Sequence, residues 1–245
     1  MLRMMTLNLN QFGDKHGAWE IRLERVLQTL RLHAPDIAAF QAVGAETGIA
    51  AGKDQARQIA ACLPEYSQVW FQAAQRSGDD KLQGSAFLSR APLVPVGHQE
   101  LPFEDNTEDG NRRLLLHARA QNGAEPLELI NAHFSWVPQI NQANVAAALS
   151  YLQTLTGPVL LAGDLNAPPD SAGMRLLADA GWTDAWALLH PDDPGYTFEA
   201  DHPAQRIDYV WANQAAVTRL RTIERIVPEG DARLSDHLGL LVTLE

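Results

Sequence analysis

The hydrophobic positions of this chain recur with two different periods, and each period predicts a different kind of element. Over Trp19–His33 the apolar residues repeat at helical spacing, and Pro35 follows, as is typical of a helix that has just ended. The ranges Ala50–Leu63, Ile140–Leu155 and Ser171–Ala180 predict three more helices on the same grounds.

Short apolar runs bounded by polar residues predict strands between these helices. The predicted strands are Arg3–Asn8, Asp36–Gln41, Tyr66–Gln72, Ser85–Ser89, Leu93–Glu100, Leu114–Gln121, Leu127–Ala132, Pro158–Ala162, Ile207–Trp211, Val217–Ile226 and Leu238–Leu244. Both helices and strands are predicted along the chain, and no internal repeat, linker or low-complexity tract interrupts them. We therefore expect a single mixed α and β domain over residues 1–245.

Composition and charge narrow the class of protein. Hydrophobic residues make up 46% and charged residues 20%, which is ordinary for a globular chain, and the formal net charge is −11. Proteins that bind long stretches of duplex rely on clustered Lys and Arg. The nearest clusters here are Arg22 with Arg25 and Arg31, and Arg219 with Arg221 and Arg225. Both are predicted to be solvated faces, which disfavours an extended nucleic-acid interface but leaves open a short one assisted by a divalent metal.

The one cysteine, Cys62, excludes an intramolecular disulfide and is compatible with a reducing compartment. Its setting, Ile59–Leu63, predicts that the thiol packs on the apolar face of a helix. The first residues contain too short an apolar run for a signal peptide, and no run of about 18 apolar residues predicts a transmembrane helix. We expect a cytoplasmic protein without a membrane span, and no protein partner is evident.

Several predicted strands end in polar residues or are directly followed by them. Packing of an apolar core does not explain polar residues at these positions. Asn8 ends the first strand, His133 follows Leu127–Ala132, and Asp164 and Asn166 follow a buried apolar run. Taken alone, Asp164 and Asn166 are compatible with a simple Asx turn, and His133 with a hydrogen-bonded structural histidine.

Two further polar groups lie near the end of the chain. Arg206 and Asp208 are two apart in a predicted strand and so share one face, which also suits an edge-strand ion pair. Ser235-Asp236-His237 precedes the last strand and taken alone resembles a loop or cap. Because loops at strand ends are where sites are built, the five groups together predict a functional site.

The chemistry of these residue types is coherent. Amide and carboxylate oxygens suit Mg²⁺, and a metal held by them can neutralise a phosphoryl oxygen and a leaving oxyanion. A carboxylate with an amide beside it can activate and orient a water molecule, and a histidine held by a carboxylate stays protonated. No serine or cysteine has a convincing partner histidine, so a covalent acyl-type route is disfavoured.

The order of the polar motifs resembles the endonuclease/exonuclease/phosphatase superfamily, which includes pancreatic-type deoxyribonucleases, abasic-site endonucleases, inositol-polyphosphate phosphatases and neutral sphingomyelinases. The motifs are Asn8, Gln41, His133, Gly163-Asp164-Leu165-Asn166, Arg206-Ile207-Asp208-Tyr209 and Ser235-Asp236-His237. The resemblance runs from Thr6 to Leu240. It implies an α/β fold, a four-layer α/β/β/α sandwich of two mixed sheets with helices on the outside, and a site at one edge that uses Mg²⁺ or Mn²⁺.

The resemblance also implies a role for each matching residue. Asn8 is similar to the amide metal ligand of the family, and Asp236 to a further carboxylate near the metal.

For the chemical step, the resemblance implies that Asp164 activates or positions the attacking water, with Asn166 beside it. His237 would stabilise the scissile phosphate, Asp208 would orient His237, and His133 would contact the phosphate from the other side. Which of Asp164 and His237 acts as the base stays open.

The chain departs from the family pattern at Ala42. The family has Gln-Glu after this strand, with the glutamate as principal metal ligand, whereas this chain has Gln41-Ala42. Glu46 would reach the metal only if residues 43–45 folded tightly. Natural degeneration and a deliberate Glu→Ala inactivation both explain the alanine, and the intact remaining motifs favour the second. Because loss of a supporting partner already costs about 10–100-fold in metal affinity or activity, we expect this chain to be nearly inactive.

These residues indicate the reaction class better than the substrate. We expect a Mg-dependent phosphoesterase that hydrolyses phosphodiester or phosphomonoester bonds, a nuclease or a small-molecule phosphodiesterase, inactivated here by Ala42. The substrate is either nucleic acid, with short or single-stranded forms favoured, or a small phosphoester. Trp136 is a candidate for stacking on a base or sugar, with core packing as the equal alternative.

Two observations keep other functions open. The acidic loop Phe103–Gly110 would repel a polyanion if it overhangs the site, and would not if it lies away. Ala42 also suits a non-catalytic phospho-ligand binding protein on the same fold. A structural or partner-docking protein is a third alternative, but the sequence contains no amphipathic segment or tail that would support it.

Overall fold

The computed structural model describes residues 1–78, 80–105, 107–121, 125–228 and 233–245. Its strands in chain order are β1 (Leu2–Asn8), β2 (Ile37–Glu46), β3 (Gln68–Ser77), β4 (Lys81–Ser89), β5 (Leu93–Glu100), β6 (Leu114–Ala120), β7 (Leu127–His133), β8 (Val159–Asp164), β9 (Thr183–Asp184), β10 (Asp208–Ala212), β11 (Leu220–Ile226) and β12 (Gly239–Leu244). Its helices are α1 (Trp19–His33), α2 (Gln55–Cys62), α3 (Pro138–Leu152), α4 (Ala172–Asp179), α5 (Ala185–Leu189) and α6 (Gln214–Val217), and a 3-10 turn covers Ala50–Gly52.

The described strands form two six-stranded sheets. The first sheet has the order β11-β12-β1-β2-β4-β3, and the second has the order β5-β6-β7-β8-β10-β9. Each sheet contains one parallel pair, β1 with β2 and β7 with β8, beside antiparallel neighbours. Among the described helices, none has the length and apolar composition that crossing a membrane requires.

Three apolar layers hold the sheets and helices together. Leu129, Leu160 and Val242 are buried between the two sheets. Outside the first sheet, α1 and α2 cover residues such as Phe40, and outside the second sheet, α3 and α4 cover residues such as Leu161. The expected four-layer sandwich of two mixed sheets is therefore confirmed.

The alternation of side chains within β1 shows how the sequence produces these layers. Met4 packs between the sheets, whereas Met5 and Leu7 pack under the helices, because successive residues of a strand point to opposite faces. Since both faces are covered, apolar residues face both sides of the strand, which ends at the polar residue Asn8.

Several predicted elements have different bounds in the structure. Helix α1 has the predicted bounds, whereas the helix predicted over Ala50–Leu63 is divided into the 3-10 turn and α2. Asp54 accepts a hydrogen bond from the backbone N–H of Arg57 and so begins α2 at the next residue. The strand predicted over Val217–Ile226 begins only at Leu220, because the residues before it form α6. The short elements β9 and α5 had no prediction.

Two predictions about single residues are wrong. Cys62 is exposed, because it is the last residue of α2 and the next residue, Leu63, takes the buried position. Arg22 is not part of a solvated face, since only 1% of the residue is exposed. Its guanidinium donates hydrogen bonds to backbone carbonyls of neighbouring loops, whereas the Arg31 side chain on the same helix is half exposed.

Candidate active site

A cleft with a volume of about 520 Å³ opens at the edge of the sandwich where several strands end. The site residues predicted from the sequence that line it are Asn8, Ala42, His133, Trp136, Asp164, Asn166, Asp236 and His237. Asp208 lies behind His237 and contacts its ring. The structure thus brings all the predicted residues to one place.

Strand register explains this convergence. Asn8 at the carboxyl end of β1 pairs with Gln41, after which β2 continues alone beside β4, and His133 pairs with Asp164 at the carboxyl ends of β7 and β8. Asp208 begins the neighbouring antiparallel strand β10 and pairs with Asp164. Parallel strands end at the same edge of a sheet, so polar residues at their ends meet there.

His237 is held between two buried carboxylates. Its Nδ1 lies 2.9 Å from Oδ2 of Asp208, and its Nε2 lies 3.7 Å from Oδ2 of Asp164. Burial disfavours the charged ring, but the carboxylates of Asp208 and Asp164 outweigh burial and raise the pKa of His237 to about 10. The imidazole is therefore a cation at neutral pH.

Asp164 is a buried carboxylate at the centre of the group. Its Oδ2 accepts a hydrogen bond from Nδ2 of Asn8 at 2.8 Å, and its Oδ1 accepts one from the backbone N–H of Asn166 at 3.0 Å. Burial raises the pKa of Asp164 to about 6, against the opposing effect of the His237 cation. A carboxylate with this pKa exchanges protons near neutral pH, as a general base requires.

His133 differs from His237 in its charge. Burial, together with the neighbouring cations of Arg113 and His237, holds the pKa of His133 well below its usual range. The neutral ring faces Arg113, whose Nη1 lies 2.7 Å from Nε2. His133 therefore accepts a hydrogen bond from Arg113 and forms no ion pair with Asp164, whose Oδ2 lies 3.4 Å away.

Arg113 is a site residue that sequence reasoning missed. Its side chain is buried, lines the cleft and forms an ion pair with Asp109, with a shortest distance of 3.0 Å. It belongs to none of the motifs and lies between the acidic loop Phe103–Gly110 and the predicted strand Leu114–Gln121. The available signal was an arginine four residues after an aspartate, directly before the apolar strand β6.

Ala42 occupies a position whose backbone directs the side chain into the cleft. It sits in a β-bulge where the register of β2 with β4 shifts between Phe40 and Val43, and its φ is 46°. A bulge re-aims side chains, and a positive φ is strained for any residue other than glycine. The position is therefore shaped to present a side chain to the cleft, although alanine brings no oxygen.

Glu46 does not replace the missing carboxylate in this structure. Its Oε1 lies 3.2 Å from Nζ of Lys81, and the residue lines a separate, smaller cleft. The four-residue separation from Ala42 is spanned by extended strand, which carries Glu46 away from Asn8.

The structure decides between two pairs of alternatives that the sequence left open. They concern the packing of Trp136 and the ion-pair partner of Arg206. Trp136 is 44% exposed and lines the cleft, so core packing does not account for it. Arg206 pairs with Asp184, whereas Asp208 pairs with His237, so the suggested ion pair between Arg206 and Asp208 does not form.

The donor atoms present fit a hard divalent cation. Carboxylate oxygens of Asp164 and Asp208 lie within 4.8 Å of one another and of a ring nitrogen of His237. Because that ring is protonated, only the carboxylate oxygens of this group can bind a cation. Asp208 Oδ1 is buried and has no hydrogen-bond partner among the described residues, which suits a nearby positive charge. Asn8 and Asp236, which also line the cleft, add oxygen donors of the type that Mg²⁺ prefers, while Ala42 adds none.

The sequence of this chain matches one known protein family. A profile of the Endonuclease/Exonuclease/phosphatase family matches residues 5–237. No curated protein matches the sequence.

Solved structures show the same fold at low sequence identity. An endonuclease/exonuclease/phosphatase from Beutenbergia cavernae is 22% identical with a TM-score of 0.79, covering 99% of this chain and 71% of that one. The Bacteroides thetaiotaomicron mannosyl-6-phosphatase Bt3783 is 15% identical with a TM-score of 0.74, and all of each chain is covered. D. rerio TDP2 complexed with a single-strand DNA product is 18% identical with a TM-score of 0.73, covering 100% of this chain and 98% of that one.

Proposed function

Because this chain belongs to the endonuclease/exonuclease/phosphatase family, we propose that its cleft is the site of a metal-dependent phosphoesterase that Ala42 leaves nearly inactive. The observation that carries this proposal is the buried group of Asp164, Asp208 and His237, in which a histidine cation and a carboxylate of raised pKa face one cleft. Such a pair suits hydrolysis of an anionic ester, since one group stabilises charge and the other accepts a proton.

His237 stabilises the phosphate. The Nδ1–H donates to Asp208, which fixes the ring and its charge, and Nε2–H is left to donate to a phosphoryl oxygen. A donor already in place for the charge that develops in the transition state is worth about 10²–10³ in rate. Arg113, held by Asp109, adds a second fixed cation at the cleft wall.

Asp164 acts on the attacking water. Its carboxylate is held by Asn8 and by the backbone of Asn166, so one proton-accepting group is fixed at the cleft floor. The Asn166 Nδ2 donates to the carbonyl of Phe134, which orients the amide oxygen beside Asp164. With a pKa of about 6, Asp164 is ionised at neutral pH and accepts the proton from water.

Asn8 and Asp236 would hold Mg²⁺ or Mn²⁺, with Asp164 nearby. When bound, the ion supplies positive charge to the phosphoryl and leaving oxygens. The Ser235 hydroxyl donates to Oδ1 of Asp236 at 2.9 Å, which orients that carboxylate. Ala42 contributes no ligand, which is the reason for the expected low activity.

The substrate is a phosphorylated compound, and two ranges of substrate are compatible with the fold. Among structural neighbours, one is named a mannosyl-6-phosphatase and another is complexed with a single-strand DNA product. We propose either a small phosphoester or a short nucleic acid, with the exposed face of Trp136 stacking on a ring of the substrate.

The test is to restore the carboxylate. The Ala42→Glu variant is expected to hydrolyse bis(p-nitrophenyl) phosphate or p-nitrophenyl phosphate at least about 100-fold faster than the chain itself in Mg²⁺ or Mn²⁺, and EDTA should abolish the gain. Ala42→Gln is the matched control, because it has the same length without the charge and should gain far less. Calorimetric titration with Mn²⁺ should show tighter binding to the glutamate variant, independently of activity.

A non-catalytic phospho-ligand binding protein is the second candidate, and Ala42 in an otherwise complete cleft favours it. It predicts phosphate binding without metal and no activity in the Ala42→Glu variant. If both folded proteins fail on several ester and nucleic-acid substrates, the phosphoesterase proposal is wrong and this candidate takes its place.

A further inference from the structure

Besides the site residues Asn8 and Asn166, five side chains that line the cleft are uncharged amides. We call this group the amide wall, and it comprises Asn10, Gln11, Gln83, Asn111 and Gln205. Apart from the two histidines, Arg113 is the one basic side chain among the described residues that line the cleft, and no lysine lines it. The organic part of the substrate therefore faces hydrogen-bonding groups that carry no charge.

Gln83 on β4 shows that the wall is oriented in advance. It is 9% exposed, and its Oε1 accepts a hydrogen bond from Nε2 of Gln75 at 3.2 Å. Because the oxygen is engaged, the amide orientation is fixed and its Nε2 group has no partner among the described residues. This donor is open to the cleft, so an acceptor group of a ligand can take the place of water there.

Hydrogen bonds connect this wall to the phosphate end of the cleft. Gln75 Nε2 also donates to Oδ1 of Asn111 at 3.0 Å, and Nδ2 of Asn111 donates to Oδ1 of Asp109 at 2.9 Å. Asp109 pairs with Arg113, which contacts His133. Gln83 and Asn111 are thus connected to Arg113 by one chain of hydrogen bonds, so these side chains need little ordering when a substrate binds.

We propose that the amide wall binds the hydroxyl groups of a small sugar or polyol phosphate that carries one phosphate. This inference rests on the proposed function, because it names the substrate class of that site. Each hydroxyl both donates and accepts a hydrogen bond, and amide side chains offer both kinds of group. The exposed face of Trp136 lies in the same cleft and covers the apolar C–H face of a sugar ring.

The charges around the cleft disfavour a polyanion. The loop that carries Asn111 also carries the exposed side chains of Glu104, Asp105 and Glu108, none of which lines the cleft itself. Their negative charges lie on the segment that leads to the cleft, which disfavours a long polyanion. Lys15, on the loop after β1, is paired with Glu199. A nucleic acid would need a cation for each of several phosphates, whereas this cleft offers cations for one.

The test is a set of binding measurements on the chain itself, in which low activity leaves the ligand intact. Calorimetric titrations in millimolar Mg²⁺ compare glucose 6-phosphate, phenyl phosphate, inorganic phosphate and tetrathymidylate. Glucose 6-phosphate should bind about tenfold tighter than phenyl phosphate, which has a ring of similar size without hydroxyls, and than inorganic phosphate. Tetrathymidylate should bind more weakly than glucose 6-phosphate.

A variant of Gln83 then tests whether the amide wall causes the preference for glucose 6-phosphate over phenyl phosphate. Gln83→Met keeps the length of the side chain and removes the amide, so the ratio of affinities for glucose 6-phosphate and phenyl phosphate should fall about fivefold or more. Gln153→Met, an exposed position at the end of α3, is the matched control and should keep the ratio. Comparison of ligands within the unaltered chain does not depend on how the Gln83 variant folds.

Three results would overturn the inference. They are equal binding of phenyl phosphate and glucose 6-phosphate, tightest binding of tetrathymidylate with a steep salt dependence, and no detectable binding of any of the four ligands. The proposed function fails separately, since a preference for glucose 6-phosphate with no hydrolysis by Ala42→Glu would retain the amide wall and reject catalysis.

Discussion

Nε2 of His237 lies 3.7 Å from Oδ2 of Asp164, and the pKa of each group is raised for a different reason. The pKa of Asp164 rises because burial disfavours its charge, whereas the pKa of His237 rises because two carboxylates outweigh burial. At neutral pH both groups are charged and each stabilises the other. Asp208 sets this state, since it contacts His237 directly.

The free energy of unfolding should therefore fall as pH rises from about 7 to 10. The pKa of His237 is raised from 6.5 to about 10 on folding, so its contribution to stability is complete below pH 6.5 and is lost as pH rises through 10. Asp164 adds a loss of the same sign only between its ordinary pKa of 3.8 and about 6. Urea denaturation at a series of pH values measures the slope above pH 7.

Asp208→Asn should flatten this slope, because it removes the nearest carboxylate that raises the pKa of His237. His98→Gln, at an exposed position on β5, should leave the slope unchanged. An unaltered slope in the Asp208→Asn variant would show that Asp208 does not set the charge of His237.

The same substitution tests the charge of His237 in catalysis. In the Ala42→Glu background, Asp208→Asn should lower kcat about 100-fold at pH 8, because the ring is no longer protonated there. Part of the loss should be recovered towards pH 6, where an ordinary histidine gains its proton. A loss that is equal at every pH would instead indicate that Asp208 only positions the ring.

At the scale of elements, α1 joins two loops that carry site residues. The buried guanidinium of Arg22 donates to the carbonyls of Leu9, Gln11 and Gly17 in the loop after β1, and to the carbonyl of Leu234. One loop follows Asn8 and the other precedes Asp236 and His237. A single side chain on the outer helix thus satisfies the backbone of both loops.

Arg22→Met should lower the free energy of unfolding by about 3 kcal/mol or more, because it leaves several buried carbonyls without a donor. Arg31→Met is the matched control on the same helix, since the Arg31 side chain is half exposed, and it should cost less than about 0.5 kcal/mol. Urea denaturation of both variants gives the comparison. Equal costs at the two positions would show that the carbonyls find water when Arg22 is removed.

Helix α1 shows what could be predicted from the sequence and what could not. Its bounds were predicted correctly, whereas the burial of its residue Arg22 was not. The helix was predicted at its bounds because its apolar residues repeat over four turns, but periodicity cannot show which arginine is buried. Arg22 was misassigned because its partners are backbone carbonyls, which leave no mark on the sequence. Arg113 was missed for a related reason, since only the folded structure brings its guanidinium beside His133.

Residues in motifs were easier to place than residues outside them. The positions of Asp164, Asp208 and His237 in one cleft follow from strand ends meeting at one edge, which the order of elements implies. The amide wall has no such signal, because Gln83 lies within a strand and Asn111 in a loop. Their convergence depends on how the two sheets face each other.

At the scale of the whole molecule, one polar link joins the two sheets behind the cleft. Asn131 on β7 donates to the carbonyls of Phe40 and Ala86 in the first sheet, and Gln41 Nε2 donates to Oδ1 of Asn131 at 2.7 Å. Phe40 is the residue at which the bulge around Ala42 begins. The contact between the sheets therefore supports the bulge that aims position 42 at the cleft.

A double-mutant cycle tests whether this link acts as a unit. Gln41→Met and Asn131→Leu each leave buried polar groups without partners, so each should lower the free energy of unfolding by about 2 kcal/mol. The double variant removes both side chains of the pair and should cost about 1 kcal/mol less than the sum. Asn131→Leu combined with Leu27→Ala, on the buried face of α1, should be additive within about 0.5 kcal/mol. Additivity of the first pair would mean that Gln41 and Asn131 stabilise their own sheets separately, and the bulge at Ala42 would then owe its shape to β2 and β4 alone.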